Sequence, residues 1–212
     1  MRHAAVTYFD NGRPLRPAEL SLTDEGREQA RAAADALAGL PFDRVVTSGL
    51  PRALETALIV APGVEPESWP ELRELESGRL RDIPEDELEE TFLRAFHGVV
   101  PEDARFLGGE TIGSLFDRVL PALERLLADL EWDVVLAVLH GGVNRAFLSY
   151  ALTGGRQFLG GFEQAPGCIN VLDVDETGWI VRAVNFAPYD PVHLRGRLTT
   201  MEELWSQFKH TT

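Results

Sequence analysis

The sequence of 212 residues contains a single cysteine, a single lysine and no long apolar run. With Cys168 alone no internal disulfide can form, and no apolar stretch typical of a secretion signal follows Met1. The longest apolar runs, such as residues 134–139, fall far short of the ~20 residues that span a bilayer. These absences exclude an internal disulfide framework and predict no membrane segment, and we expect a cytoplasmic protein.

Acidic residues outnumber basic ones by 34 to 20, which gives a formal net charge of -14 at pH 7. A surface of this sign repels nucleic acid phosphates and anionic lipid, so we expect neither nucleic acid nor a membrane as a partner. Any phosphate-binding function must therefore be local. Because Lys209 is the only lysine, such a site would be built from arginine guanidiniums, which bind phosphate oxygens in pairs.

The composition and the order of the local patterns predict the fold. The apolar fraction of 44% and the charged fraction of 25% are ordinary for a globular protein, so we expect a single domain over residues 1–212. Helical patterns cover residues 21–40, 52–61, 85–96, 112–130, 143–150 and 200–208, and strand patterns cover residues 42–48, 134–139, 168–174 and 179–184. Their alternation predicts a three-layer α/β/α sandwich with a mostly parallel sheet, to which the last two strands add an antiparallel edge strand.

Two capping signals and one irregular stretch complete the local predictions. Thr23, before an acidic first turn, is typical of a helix N-cap, and Thr200 with Glu203 is typical of a capping box. Residues 64–110 contain four spaced prolines, with one helix predicted after Pro84. We expect this stretch to be an excursion that covers a site.

Two polar segments follow predicted strands, where open parallel sheets form their sites. One sets Arg52 in the first turn of a helix, and the other places His140 at a strand end. We expect both side chains to face one crevice. Together with Arg2, His3 and Glu74, they make a set suited to phosphoryl transfer.

Five blocks of the sequence carry a family resemblance. In chain order they are Arg2-His3-Ala4, residues 22–30, Ser48-Gly49-Leu50-Pro51-Arg52-Ala53 with Thr56-Ala57, residues 108–111, and His140-Gly141-Gly142-Val143-Asn144-Arg145. The chain resembles the histidine phosphatase superfamily, which includes the cofactor-dependent phosphoglycerate mutases. Arg2-His3 alone would be a weak signal, but five blocks in order over almost the whole chain are specific.

The resemblance implies a phosphomonoester hydrolase that needs neither a metal nor an organic cofactor. His3 would be the nucleophile and would form a phosphohistidine, which water then hydrolyses. Glu74 matches the family's acid and would protonate the leaving group, with Glu110 as the second choice. We expect a small phosphorylated molecule as substrate, and we leave open whether the protein forms a homodimer.

The resemblance also implies a phosphate-binding set around the nucleophile. A neutral imidazole attacks, so positive charge from Arg2, Arg52 and His140 would keep the pKa of His3 low and stabilise the transition state. His140 is counted with the catalytic residues. Thr7 is expected to supply a further hydrogen-bond donor to phosphate.

The chain departs from the family pattern near its first residues. Only Met1 precedes Arg2, whereas family members usually have several strand residues there. Either the sequence begins late or the sheet accommodates a short strand, with the amine then close to the phosphate site. Ala4 replaces the usual glycine and adds a methyl group where the backbone approaches phosphate.

Other interpretations stay open. Judged singly, His140 would be a structural histidine, Arg2 and Arg52 would be surface ion-pair partners, and Glu74 would be a solvated carboxylate. Within the fold, a phosphoglycerate mutase is the alternative function, and a pseudo-enzyme that binds a phosphorylated ligand is the alternative from another class. Three histidines match no block and are expected to be surface or structural residues: His97, His193 and His210.

Overall fold

The computed structural model describes residues 1–10, 13–129, 131–194 and 198–209. Its α-helices are α1 (Asp24–Ala36), α2 (Pro51–Val60), α3 (Glu85–Arg94), α4 (Ile112–Ala128), α5 (Gly141–Thr153) and α6 (Thr200–Lys209). Its strands are β1 (Phe9–Asp10), β2 (Arg13–Pro14), β3 (Arg44–Thr47), β4 (Glu67–Ser68), β5 (Val99–Val100), β6 (Val135–Val138), β7 (Phe158–Leu159), β8 (Ile169–Asp175) and β9 (Gly178–Phe186). Short 3₁₀ helices span Pro17–Glu19, Pro70–Leu72, Leu80–Asp82 and Phe106–Gly108. None of the described helices is both long and apolar enough to cross a membrane.

β3 lies at the centre of a parallel sheet, between β4 and β6. The register pairs Val46 of β3 with Glu67 of β4 and with Ala137 of β6. The consecutive residues Val45 and Val46 are both fully buried, although their side chains point to opposite faces of the sheet. Both faces of β3 are therefore covered, which explains why its two central residues are both apolar rather than alternating with polar ones.

Two pairs of helices cover these faces. Over one face lie α1 and α2, whose buried Ala33 and Ala57 pack with Val45. Over the other lie α4 and α5, where Phe116 belongs to the same apolar cluster as Val46. This arrangement confirms the predicted three-layer α/β/α sandwich with a mostly parallel sheet.

The first residues of the chain extend the sheet beside β6. Leu139 N donates to Met1 O, and His3 N donates to Leu139 O, each over 2.9 Å. On the other side, Arg2 N donates to Cys168 O over 3.0 Å, where the antiparallel hairpin of β8 and β9 begins. The short strand thus joins the hairpin to the parallel sheet, and it brings His3 to the carboxyl end of β6.

A cleft of about 550 Å³ continues from Met1 between β6 and β8. Its lining is mostly apolar and includes Ala137, Ile169 and Trp179. The amino group of Met1 donates to Ala137 O over 2.6 Å. The amine is therefore engaged with the backbone of β6 at the inner end of this cleft.

Residues 64–110 are more regular at their start than the sequence indicates. The short strand β4 pairs in parallel with β3 and forms an edge of the sheet. Further on, α3 follows Pro84 as the sequence predicts. Helix α6 packs on α3 through Phe92, Trp205 and Phe208, whose ring centroids lie 5.4 to 5.8 Å apart. The excursion and the last helix therefore support each other.

The capping predictions are half right. Thr23 Oγ1 accepts from Gly26 N over 3.0 Å and caps α1. At α6 the capping pair is Thr199 with Glu202, not Thr200 with Glu203. Glu202 N donates to Thr199 Oγ1 over 3.3 Å, and Thr199 N donates back to Glu202 Oε2 over 2.6 Å. The Thr200 hydroxyl is directed at other partners, because the capping pair lies one residue earlier than predicted and Thr200 is the first residue of the helix.

Candidate active site

Four polar side chains meet at the carboxyl end of the parallel sheet. Arg2 and His3 lie at the start of the chain, where Arg2 forms a parallel bridge with Leu139. Arg52 lies in the first turn of α2 after β3, and His140 connects β6 to α5. Each of the four is at most 4% exposed. The rings of His3 and His140 meet edge to face, with centroids 5.1 Å apart. The structure thus brings together four residues that the sequence places in three separate blocks.

The turn between β3 and α2 aims Arg52 into this pocket. Gly49 has a φ of 77°, a left-handed conformation that glycine adopts without strain. Pro51 occupies the first turn of α2, where its fixed φ suits a helix start and its missing N–H leaves no donor unpaired. The Ser-Gly-Leu-Pro-Arg segment is therefore a local device that ends a strand and starts a helix within a few residues.

Arg52 bridges the two histidines. Its Nε donates to His3 Nε2 over 3.2 Å, and its Nη2 donates to His140 Nδ1 over 3.3 Å. The other ring nitrogen of His3, Nδ1, lies 2.8 Å from Ala4 O and must donate, since a carbonyl oxygen only accepts. This network assigns the proton of His3 to Nδ1. The lone pair on Nε2 therefore faces the guanidinium.

The hydrogen bonds of His140 to Arg52 and Ser48 fix its tautomer. Because a guanidinium has no acceptor, Nδ1 of His140 must accept from Arg52, which leaves the proton on Nε2. Nε2 lies 2.7 Å from Ser48 Oγ and donates to it. Ser48 therefore holds the ring of His140 in one orientation from the side opposite to Arg52.

The pKa values of both histidines lie well below the ordinary value of 6.5. Burial is the largest cause for each, and the charge of Arg52 is the next. Arg2 lowers both pKa values further, and Arg118 lowers that of His140. Both rings are thus neutral near pH 7. His140 also lowers the pKa of His3, and the arginines supply further positive charge around both rings.

Arg2 has one nitrogen without a partner. Its Nη1 donates to Gln164 O and to Thr200 Oγ1, the latter over 2.6 Å, and its Nη2 donates to Tyr8 Oη over 3.3 Å. Its Nε is buried and makes no hydrogen bond within the described residues. A Cβ built on Gly141 would lie 3.9 Å from this Nε, so the atom is close to the start of α5. An unpaired buried N–H of a charged group is costly, and an anion oxygen would satisfy it.

Glu74 reaches the same helix start from the excursion. Gly142 N lies 3.0 Å from both of its carboxylate oxygens, and Leu75 N donates to Oε1 over 2.9 Å. A Cβ on Gly142 would lie only 2.5 Å from Oε1, so a side chain there would displace the carboxylate. Free N–H groups at a helix N-terminus favour a negative group. The glycine pair after His140 therefore makes room for Glu74.

Glu110, the second choice for the acid, is engaged elsewhere. Its two carboxylate oxygens accept from Nε and Nη2 of Arg118, over 2.8 and 2.9 Å. Glu76 N also donates to Oε2 over 3.1 Å. A carboxylate held by a guanidinium at both oxygens is less open to a substrate than Glu74, whose partners are backbone N–H groups. Glu110 instead anchors the segment that carries Glu74.

Thr7 and the histidines that match no block complete the set of residues that the sequence analysis considered. The Thr7 side chain is exposed, and the hydroxyl next to Arg2 belongs to its neighbour Tyr8. His97 is exposed, and His193 Nε2 contacts Asn185 O over 2.9 Å. His210 lies outside the described residues. In the described part of the chain, no group of three His, Cys, Asp or Glu side chains is placed to hold a metal ion.

The sequence analysis did not single out Tyr8 or Gln164, and it assigned Thr200 to a helix cap, whereas all three hold Arg2. Tyr8 stands one residue after the predicted Thr7, so the signal was a polar side chain near the Arg2-His3 pair. Gln164 and Thr200 approach from distant parts of the chain, with separations of 162 and 198 residues from Arg2. No local pattern could have indicated either contact.

The fold and the site together define an α/β enzyme with a histidine and arginine pocket suited to an anion. The chain belongs to the histidine phosphatase superfamily, whose branch 1 model matches residues 1–187. The family predicted from the five sequence blocks is thereby confirmed, and the enzyme class expected from it, a phosphatase, agrees with this membership.

Individual relatives support the same assignment. The chain is 32% identical to a glucosyl-3-phosphoglycerate phosphatase of Mycolicibacterium vanbaalenii, over 73% of this chain and 72% of that protein. It is 33% identical to a probable phosphoglycerate mutase of Serratia proteamaculans, over 66% of this chain and 67% of that protein. The crystal structure of the alpha-ribazole phosphatase from Shigella flexneri is similar, with a TM-score of 0.71 and 24% identity over 87% of this chain and 94% of that one. At that identity the structural likeness shows the fold alone.

Proposed function

We propose that the protein hydrolyses phosphomonoesters through a phosphohistidine at His3. The observation that carries the proposal is an imidazole, protonated at Nδ1, whose Nε2 accepts from the buried guanidinium of Arg52 and whose pKa is lowered by burial and by the charges of Arg52 and Arg2. A neutral nitrogen is what attack on phosphorus requires, and buried guanidiniums suit a phosphate dianion. A merely structural histidine would have no need of this cationic surrounding.

In the first step, Nε2 of His3 attacks phosphorus, and the bond between phosphorus and the ester oxygen breaks as the nitrogen–phosphorus bond forms. In the structure the Nε2 lone pair accepts a hydrogen bond from Arg52. An incoming phosphate oxygen would accept the Arg52 N–H in its place and free the lone pair. The unpartnered Nε of Arg2 would donate to another oxygen of the transferring group, where negative charge is spread in the transition state.

Glu74 is the proposed proton carrier. In its protonated form it would give its proton to the departing ester oxygen, so that an alcohol leaves. Water would then attack the phosphohistidine while Glu74 takes up one of its protons, which breaks the nitrogen–phosphorus bond and releases inorganic phosphate and neutral His3. The side chain is half-buried, so the carboxylate is open to water between the two steps.

The substrate proposed is a small phosphorylated metabolite rather than a macromolecule. Support comes from relatives that are named for small phosphate esters, glucosyl-3-phosphoglycerate and alpha-ribazole phosphate among them. The net charge of -14 argues against a nucleic acid. The cytoplasmic location expected from the sequence is part of this proposal.

The test is phosphate release from a panel of phosphorylated sugars, nucleotides, glycerates and peptides. His3→Ala should lower turnover by more than ~10³-fold and abolish acid-labile labelling of the protein by phosphate. A metal chelator should leave the wild-type rate unchanged. The matched control is His97→Ala, an exposed histidine outside the pocket, which should behave as wild type. Undiminished turnover in His3→Ala would refute the mechanism.

A phosphoglycerate mutase is the second candidate, because more than one relative is named for that activity. A mutase must bind the glycerate carboxylate and keep water from the phosphohistidine. The segment after Glu74 instead contains an exposed Glu76, and Lys209 is the only lysine of the chain. An acidic, open site disfavours a carboxylate and admits water. We therefore expect phosphate release without interconversion of the two monophosphoglycerates, even with bisphosphoglycerate as primer.

Primed interconversion that is faster than phosphate release would make the mutase the better assignment. Phosphate binding without turnover on any member of the panel would favour the pseudo-enzyme. Retention of Glu74 beside the pocket argues against that outcome, since a binding protein needs the arginines but not an acid.

A further inference from the structure

Arg118 grips the backbone of the segment that carries Glu74. It lies on α4, and its Nη1 donates to the carbonyl oxygens of Glu71 and Arg73, each over 2.7 Å. Its Nη2 lies 3.3 Å from the carbonyl oxygen of Glu74 itself. Three carbonyl oxygens from one short segment thus converge on a single guanidinium, whose planar fork of donors can serve all of them.

Glu110 completes this grip from the other side. Nε and Nη2 of Arg118 are paired with the Glu110 carboxylate, which leaves the guanidinium one orientation toward the loop. Glu110 also binds the loop directly, because its Oε2 accepts from Glu76 N and its own N donates to Glu76 O over 2.8 Å. A Cβ on Gly109 would lie only 2.2 Å from Glu76 O, so the two backbones are in close contact.

We propose that Arg118, oriented by Glu110, is a positioning residue that holds the Glu74 carboxylate at the start of α5 for proton transfer. The inference rests on the proposed role of Glu74 as the acid. The segment is fixed by Arg118 before and at Glu74, and by Glu110 just after it. Loss of the grip would let the carboxylate move away from Gly142, and displacements of about 1 Å can cost ~10²-fold in rate.

Arg118 has two other effects that the test must separate from positioning. Its charge lowers the pKa of His140, and its hydrogen bonds stabilise the excursion. A change in the charge at His140 would slow all substrates alike, and a loss of folded protein would show in the unfolding temperature. A misplaced acid would slow only those esters whose leaving group needs a proton during bond cleavage.

The experiment compares an alkyl phosphate, glycerol phosphate, with an aryl phosphate, 4-nitrophenyl phosphate, in the full-length protein. Arg118→Ala should lower kcat for the alkyl ester by ~10- to 100-fold, with KM and the aryl rate nearly unchanged. Arg118→Lys keeps the charge but not the fork, so it should show the same split between substrates. The double variant of Arg118→Ala with Glu74→Gln should be no slower than Glu74→Gln alone.

Arg125→Ala is the matched control. Arg125 lies on the same helix and also reaches the loop, but it contacts only the Glu71 side chain, over 3.1 Å, and the ring of Trp69. Within the described residues it forms no hydrogen bond to the carbonyl oxygens around Glu74, so its loss should leave both rates unchanged. Unfolding temperatures measured for all variants show whether each protein is folded.

Three results would overturn the proposal. They are an equal loss for both esters in Arg118→Ala, full rescue of the alkyl rate by Arg118→Lys, and a double variant much slower than Glu74→Gln. If Glu74→Gln itself slows both esters equally while His3→Ala is inactive, then the acid assignment fails. The positioning role falls with it, but the phosphohistidine does not.

Discussion

The Nε atom of Arg52 lies 3.2 Å from the Nε2 atom of His3, the atom that we assign to the attack on phosphorus. The guanidinium therefore donates to the nucleophilic nitrogen. After burial, its charge is the largest cause of the lowered pKa of His3. A phosphate dianion is a stronger partner for a guanidinium than a neutral imidazole is. Substrate binding and exposure of the lone pair are thus a single event, which makes Arg52 more than an anion anchor.

The first prediction concerns the pH dependence of the rate. Because the pKa of His3 lies well below 6.5, the neutral nucleophile should persist into acid, and kcat/KM should not fall with an apparent pKa near that value. Arg52→Gln removes the charge that lowers the pKa, so its acid limb should move to higher pH. Ionisation of the substrate is common to both proteins, and the difference between their profiles therefore reports the enzyme. Superimposable profiles would contradict the role given to Arg52.

The second prediction concerns stability in acid. The histidine pKa values are depressed in the folded state, so below the unfolded-state value of ~6.5 the unfolded chain takes up protons that the folded protein does not. Stability is therefore present above that pH and is lost as the pH falls toward the folded-state pKa, by up to ~1.4 kcal/mol per pH unit for each ring. Urea unfolding at a series of pH values measures the slope. His140→Gln should reduce it.

The third prediction concerns the space beside Glu74. In Gly142→Ala the new methyl group would lie 2.5 Å from Glu74 Oε1 and 2.8 Å from Leu75 Cδ1. The carboxylate must therefore move, and hydrolysis of alkyl phosphates should slow by ~10-fold or more while the protein stays folded. Gly155→Ala, where a Cβ has no neighbour within 4 Å, is the control. Steady-state rates and melting temperatures of both variants decide the matter, and a Gly142→Ala enzyme with wild-type rates would count against the assigned acid.

The fourth prediction concerns the last helix and Arg2. Thr200→Val removes the hydroxyl that accepts from Arg2 Nη1 and donates to Glu163 Oε1. A hydrogen bond to a charged group contributes ~1.5–3 kcal/mol, so we expect KM or the inhibition constant of inorganic phosphate to rise ~10-fold. Thr199→Val removes the helix cap instead. It should lower the free energy of unfolding by ~1 kcal/mol without weakening the binding of phosphate. The two neighbouring threonines would exchange these effects if the capping register were wrong.

The spacing of apolar residues and the positions of chain-breaking residues predict most of the fold. Helix α4 repeats apolar residues at spacings of three and four, and β3 and β6 contain adjacent apolar residues that lead into the polar segments of the site. Strand β4 escapes prediction because Glu67–Ser68 has no apolar pattern and is followed by Pro70. Its pairing with β3 depends on the chain passing the sheet edge. A single domain over residues 1–212 stays a prediction.

The motif residues of the site could be found in the sequence, but the way they are held could not. Arg2, His3, Arg52 and His140 stand in recognisable blocks. Glu110 also stands in one, yet its pairing with Arg118 shows that a block can hold an anchor rather than an acid. Which role applies depends on a partner on another element. The sequence also favours a charged His140, because burial, which lowers the pKa of this ring, is a property of the fold and not of the local sequence.

The contact between Arg2 and Thr200 joins positions 198 residues apart. During synthesis, His3 emerges from the ribosome long before the helix that secures its neighbour Arg2 exists. Contacts of such separation form late in folding, because a long loop must close before they can stabilise anything. A nascent chain that lacks the last helix, however well its first helices have formed, would therefore bind phosphate less tightly than the folded protein.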